Sequence, residues 1–322
     1  MASLYSLYQD GCVAILPAVH YGDSSYSHFR GQDVVESASL VSHDSGWLGR
    51  YLLQLGGDFS SKALGLSEQI PLSLKGVPAP ISAFPNFASL QITGNWIDRQ
   101  IVADVVDQAY AWPSLPNNPH STLLHSIGSR LNADLNRLRL LGQVQPAAGV
   151  VYPAANFGGQ LRQAAALIKA RSGVKVVTVD FGGWDTHSAQ GDGAADGRMS
   201  LLLKTFSDSV SAFIADLGGD ASRVLLLAVT EFGRTAAENG SRGTDHGNAS
   251  AWFAIGPNVQ GGIHNGRGWP GLATHQLIEG RGLNHTIDFR DVYACVLSQF
   301  LGFNSVSNVL PGYGGGGLNL FA

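Results

Sequence analysis

The stretch VKVVTV (Val174–Val179), running into DFGGWDTH (Asp180–His187), decides the fold class. Valine and threonine restrict χ1 and favour a pleated backbone. A strand with no polar face has both faces buried, as in sheets covered by helices on either side. On one flank, apolar spacing predicts a helix over about 159–171. On the other it predicts a helix over 196–217, with Met199, Leu202, Phe206, Val210 and Phe213 on one stripe, and then a second buried strand, Val224–Val229. Ala251–Ile255 reads as a further strand and Asp288–Leu301 as a last helix. Near the amino terminus, Cys12–Val19 is an apolar run ending at His20. The loop YGDSSY follows it, then a helical pattern from Ser27, a candidate N-cap, to about Leu40. Strands alternating with helices predict an α/β fold with a mostly parallel sheet, whose ligands gather beyond the strands' carboxyl ends.

The rest of the chain fits one domain spanning 1–322. Residues 56–92 are rich in Gly, Pro and Ser and read as irregular structure with short strands. Helical patterns over 94–111 and 120–141 predict a helical layer or insertion at about 92–142. The 322 residues exceed a typical domain of roughly 100–200, but a large α/β domain absorbs that length. Hydrophobic residues make up 44%, enough for a sizeable core, so disorder as the dominant state is excluded. The 41 glycines follow no triplet period, which excludes collagen. With 20 Lys and Arg against 24 Asp and Glu and no basic run, nucleic acid is excluded as a partner. No apolar stretch approaches the roughly 18 residues of a membrane span, so none is expected. Cys12 and Cys295 lie far apart in apolar segments and read as free buried thiols.

Polar chemistry clusters where the strands end. After Val174–Val179 come Asp180, Asp185 and His187, carboxylates and an imidazole that together suit a divalent cation such as zinc or manganese. After Val224–Val229, TEFGRT supplies Glu231 as a metal ligand and Arg234 as a bidentate partner for an anion. GTDHGNAS adds adjacent Asp245 and His246 in a glycine-bounded loop. Ser27 stands at a helix N-terminus after an early strand, where a metal-activated nucleophile or an ordinary N-cap would be placed. His28 lies outside any tight metal-ligand spacing and reads as a surface or supporting residue.

The blocks SHFRGQDVVESAS, GWLGRYL, GGWDTH, TEFGRT, NGSRGTDHG, DFRDVYACVL and LPGYGGGGLNLF, in that order, resemble the bacterial domain-of-unknown-function family DUF1501. That family is similar to remote members of the alkaline phosphatase and sulfatase superfamily. The resemblance implies a three-layer αβα sandwich with a mostly parallel sheet, and hydrolysis of a small anionic phosphate or sulfate ester. Its cofactor would be a divalent metal ion, with zinc first and manganese, calcium or iron as alternatives. Asp185 and His187 would match one metal loop, Glu231 and His246 further ligands, and Ser27 the nucleophile. Exported relatives imply a periplasmic or secreted protein, although no signal peptide precedes Cys12–Val19. Relatives also carry a leading strand that ends in an acidic turn. The chain as given therefore resembles a shortened member, and the strand Cys12–Val19 is expected to be an exposed edge through which copies self-associate. A non-catalytic metal- or carbohydrate-binding surface protein is the alternative.

Overall fold

The computed structural model describes residues 1–322 except 24, 42, 58, 60, 79, 80, 91–93, 112–117, 119, 123, 126, 127, 129–137, 139 and 322. In chain order the strands are β1 (Val13–His20), β2 (Ala63–Leu66), β3 (Ser82–Ala83), β4 (Val176–Val179), β5 (Leu226–Ala228), β6 (Ser250–Ile255), β7 (Gly262–Ile263) and β8 (Ile287–Asp288). The principal helices are α1 (Ala2–Gln9), α2 (His28–Ser37), α3 (Trp47–Leu55), α4 (Trp96–Ala111), α5 (Asn156–Lys169), α6 (Arg198–Leu217) and α7 (Phe289–Cys295). The expected helix over 120–141 lies mostly outside the described residues. None of the described helices is long and apolar enough to cross a membrane.

The strands form two sheets, ordered β5-β6-β1-β7, with β8 also on β1, and β3-β2-β4. The smaller sheet is parallel. The larger is mixed, which corrects the expectation of a mostly parallel sheet: β6 runs antiparallel to both β1 and β5, while β7 and β8 run parallel to β1. Local sequence pattern fixes a strand's period but not its direction, and the direction of β6 follows from the long loop that brings the chain back after β5. Pro17 explains an irregularity in β1. Leu16 faces Trp252 and Val19 faces Ser250, so the register slips by one residue around a position that has no N–H to give the ladder.

Alternation along β1 divides the core. Val13 and Ile15 face a cluster built on Leu4 of α1, on Leu161 and Ala165 of α5, and on Phe206, Val210 and Phe213 of α6. Ala14, Leu16 and Val19 face the opposite cluster of α2, α3 and α7, with Val34, Trp47, Tyr51, Phe289 and Tyr293. β1 is thus buried between helices and paired along both of its sides, to β6 on one and to β7 and β8 on the other. The expectation of an exposed Cys12–Val19 edge is corrected accordingly. Of the two free thiols, Cys295 is buried, and burial pushes it up to about 11, while Cys12 is half-buried.

Helix α2 begins at Ser27, whose side chain accepts the Arg30 N–H at 3.4 Å, and ends at Ala38, a non-glycine residue in the left-handed region at φ 50°. α1 and α3 were not expected from the sequence. α1 is short, and α3 has the tightest apolar face of the early segment, burying Trp47, Tyr51 and Leu52.

Candidate metal centre

Loops beyond β1, β4 and β5 meet the segment that leads into β6. The loop after β4 carries Asp185 and His187, and the one after β5 carries Glu231 and Arg234. The segment returning into β6 carries Asp245 and His246. Because β6 is antiparallel, its beginning lies at the same end of the sheet as the carboxyl ends of β1 and β5, which brings His246 to the site. A small ladder fixes the last two loops against each other: Gly233 N–H donates to Asn248 O at 2.7 Å, Gly247 N–H to Gly233 O at 2.8 Å and Thr235 N–H to Asp245 O at 3.0 Å. The β4 loop is drawn in by Thr244 N–H, which donates to Thr186 O at 3.0 Å. Glycine is required where these backbones touch. A Cβ on Gly243 would stand 2.3 Å from the His187 carbonyl carbon, and one on Gly247 would stand 2.4 Å from that of Arg234.

Asp185 is the centre. Its Oδ1 accepts from Arg234 Nη1 at 2.5 Å and lies 3.0 Å from His187 Nε2 and 3.1 Å from His246 Nε2. Its Oδ2 lies 3.4 Å from Nε2 of His28. Desolvation would raise this carboxyl, but hydrogen bonds from Arg234 and His246, with the charges of His187 and Arg234, outweigh it and hold the group at about 2. Arg234 is itself positioned by Thr244, donating through Nε to the hydroxyl at 3.2 Å and through Nη2 to the carbonyl.

Each imidazole is anchored through Nδ1. His28 Nδ1 lies 2.6 Å from Glu231 Oε1, His246 Nδ1 lies 2.6 Å from the Tyr26 carbonyl, and His187 Nδ1 lies 3.2 Å from Asp245 Oδ1. Carboxylates and carbonyls only accept, so Nδ1 of each ring donates to its anchor, and the inward-facing Nε2 donates to Asp185 when it carries a proton and offers its lone pair to a cation when it does not. His187 Nε2 and His246 Nε2 are only 2.9 Å apart, and His28 Nε2 is buried with no hydrogen bond at all. Lone pairs facing each other beside a carboxylate repel unless a proton or a cation lies among them. Donor atoms of His28, Asp185 and His246 all fall within 4.8 Å of one another and form a group able to hold a metal ion. An imidazole oriented by a carboxylate or carbonyl at its other nitrogen is the usual support of a metal ligand. The donor set therefore fits a divalent cation. It does not select among zinc, manganese, calcium and iron.

The other expected residues stand around this group. Glu231 reaches the site through His28, and its Oε2 accepts from Thr230 at 2.9 Å. Asp245 orients His187 while accepting from Asn239 at 2.9 Å and from Arg281 at 3.3 Å. Asp180, at the end of β4, makes no hydrogen bond or ion pair among the described residues, and desolvation raises its carboxyl. Ser27 caps α2, between Tyr26, whose carbonyl holds His246, and His28. Sequence reasoning missed His28. Its signal was position, one residue past the N-cap of the first helix after a buried strand, because that helix start faces the same end of the sheet as the other loops. It also missed Asn239, which donates both to Asp245 and to the His187 carbonyl at 2.9 Å.

No curated protein and no solved structure matches the chain. The family model described as "Protein of unknown function (DUF1501)" matches residues 145–307. That is half of the chain, and it includes β4, β5, β6 and every residue of the centre except those on the Tyr26–His28 segment. The chain belongs to the DUF1501 family.

Proposed function

We propose that the protein is a metal-dependent hydrolase of phosphate or sulfate esters, built on a fold of the alkaline phosphatase type. The observation that supports this most is the convergence of three Nδ1-anchored imidazoles on the Asp185 carboxylate. His28, Asp185 and His246 would hold the ion, with His187 beside them. A divalent cation so held supplies Lewis acidity toward an ester oxygen and lowers the pKa of a coordinated water or hydroxyl. Arg234, kept in place by Thr244 and Asp185, offers guanidinium charge to an anionic ester. Glu231 and Asp245 keep His28 and His187 in the tautomer that faces inward. Ser27, at the N-terminus of α2 between two residues of the site, is the side-chain nucleophile proposed, and water is its substitute. A periplasmic or secreted location accompanies this reading by family resemblance alone.

A second reading has a specific observation in its favour. The Ser27 hydroxyl accepts the Arg30 N–H as an N-cap, a role sufficient in itself, so the site also suits a non-catalytic metal-binding protein. Plasma mass spectrometry of the purified chain, together with turnover of aryl phosphate and aryl sulfate, separates the two. Near-stoichiometric metal with chelator-sensitive turnover supports the hydrolase, and metal without turnover supports the second reading. Less than about a tenth of an equivalent after incubation with metals rejects both, because a three-donor protein site should fill.

A further inference from the structure

The turn Ile278–Gly282 belongs to neither sheet, and its apolar residue, Ile278, joins none of the three apolar clusters among the described residues. Backbone bonds hold it instead. Ile278 N–H donates to Gly282 O at 2.8 Å, while Gly282 N–H and Arg281 N–H both donate to Ile278 O at 3.0 Å. Two further bonds dock the turn on the loops of the metal centre, from Ala236 N–H to Arg281 O at 2.9 Å and from Ala249 N–H to Leu283 O at 3.0 Å. The approach is close, because a Cβ on Gly282 would stand 2.8 Å from the backbone nitrogen of Asn248.

The two charged side chains of the turn serve two different imidazoles. Glu279 Oε2 accepts from the Tyr26 hydroxyl at 3.2 Å, and the carbonyl of that same Tyr26 anchors His246 Nδ1 at 2.6 Å. Arg281 Nη2 donates to Asp245 Oδ2 at 3.3 Å, and the other oxygen of Asp245 anchors His187 Nδ1 at 3.2 Å. Tyr26 and Glu279 also share an unusual backbone, both lying in the left-handed region at φ 50° and 53°. That conformation is disfavoured for a residue with a Cβ and persists where the surroundings hold it. The direction of the Tyr26 carbonyl depends on it, so whatever holds Tyr26 also aims the acceptor of His246. Glu279 and Arg281 are exposed, and exposed polar contacts add little to the stability of a fold. What these two supply is orientation.

We propose that the Ile278–Gly282 turn is a clasp for the metal centre, in which Glu279 and Arg281 are positioning residues that set His246 through Tyr26 and His187 through Asp245. The inference rests on the metal-binding reading of the centre and extends it to a segment that supplies no ligand.

The test is a competitive chelator titration of zinc on the full chain and its variants. Y26F, E279Q and R281Q should each weaken zinc binding about three- to five-fold, the scale of one exposed charged contact, and R281K should restore most of the loss. Y26F and E279Q delete the same bond, so the double variant should be no weaker than either one. E279Q and R281Q act on different imidazoles, so their losses should multiply, to roughly ten- to twenty-fold. Affinities equal to the parent, or losses that multiply for Y26F with E279Q, would overturn the proposal. Metal-free melting midpoints should stay at the parent value. Midpoints that fall in step with affinity in every variant, R281K included, would make the turn merely structural and overturn it too. A parent chain that binds no zinc would reject the metal centre without deciding the clasp, which is then read from the metal-free chain. At a pH where the rings are neutral, long-range proton–nitrogen NMR spectra should place the proton on Nδ1 of His246 and His187 in the parent. Part of it should move to Nε2 at His246 in E279Q and at His187 in R281Q, and unchanged tautomers would overturn the proposal.

Discussion

At the scale of single residues, the centre depends on which groups touch and which only orient. Replacing Asp185 by Asn removes the charge on which His28, His187, His246 and Arg234 converge. D185N should therefore fall below about a tenth of an equivalent of bound metal, read by plasma mass spectrometry, while the chain stays folded by circular dichroism. Glu231 acts one step back, through His28. E231Q should retain the site but weaken metal binding about 10- to 100-fold in a competitive chelator titration, the usual cost of losing an orienting partner. Equal affinities for E231Q and the parent chain would show that His28 is not a ligand. His20 is a different case, lying in the core at 3% exposure, with its Nδ1 accepting the Gly22 N–H at 3.0 Å and its ring stacked on Tyr21. Burial first, and then the neighbouring His285, lower it to about 4 from 6.5, against a weaker opposing pull from Asp23. The folded chain thus favours the neutral ring. Its contribution is complete above the unfolded value of 6.5 and is lost as pH falls through 4, because the unfolded chain takes up the proton first. The stake is roughly 3 kcal/mol across that window. H20N, whose amide oxygen replaces the Nδ1 acceptor, should flatten the slope of stability against pH between 6.5 and 4 in urea melts.

At the scale of elements, the sequence spoke clearly where one physical demand dominated. The apolar run of β1 was readable because a strand buried on both faces admits little but aliphatic and β-branched side chains, whereas Val176–Val179, which is only half-buried, was readable from its β-branched composition. α6 was readable because twenty residues carry a complete amphipathic stripe. α1 and α3 were not, being eight and nine residues long, too short for a periodic signal to rise above composition. The antiparallel course of β6 was hidden because strand direction is decided by the tertiary path of the chain, and His28 because its partners lie about 160 to 220 positions away. The loops themselves make a testable claim. Gly243 allows the turn before Asp245 to lie against the backbone of Thr186 and His187, so G243A must separate two of the three loops of the site. It should lower the melting temperature by an amount equivalent to about 1–3 kcal/mol of overpacking, with metal affinity falling in parallel. An unchanged affinity would mean that the loops are held together by something other than this contact.

At the scale of the whole molecule, the candidate ligands do more than assemble a site, because they come from both sheets. Asp185 follows β4 in the smaller sheet, whereas His28 follows β1 and His246 precedes β6 in the larger one. Between the sheets the backbone forms no ladder along β4 and β5, so cohesion there rests on the shared helical layer and on this constellation. Without a cation, the sheets are joined here by the contacts of Arg234, His246 and His28 with Asp185. With one, the same groups join the halves. Binding to the folded chain alone stabilises it by RT ln(1 + [L]/Kd), about 2.7 kcal/mol at a hundred-fold excess over Kd. For a chain of 322 residues that raises the melting midpoint by roughly 4 °C. Calorimetry with zinc or manganese should show that rise for the parent chain and none for D185N, and excess chelator should reverse it. The transition should also sharpen with metal, because the ion ties the two sheets to each other. A parent chain whose midpoint and width ignore both metal and chelator would mean that the imidazoles around Asp185 are held by protons alone.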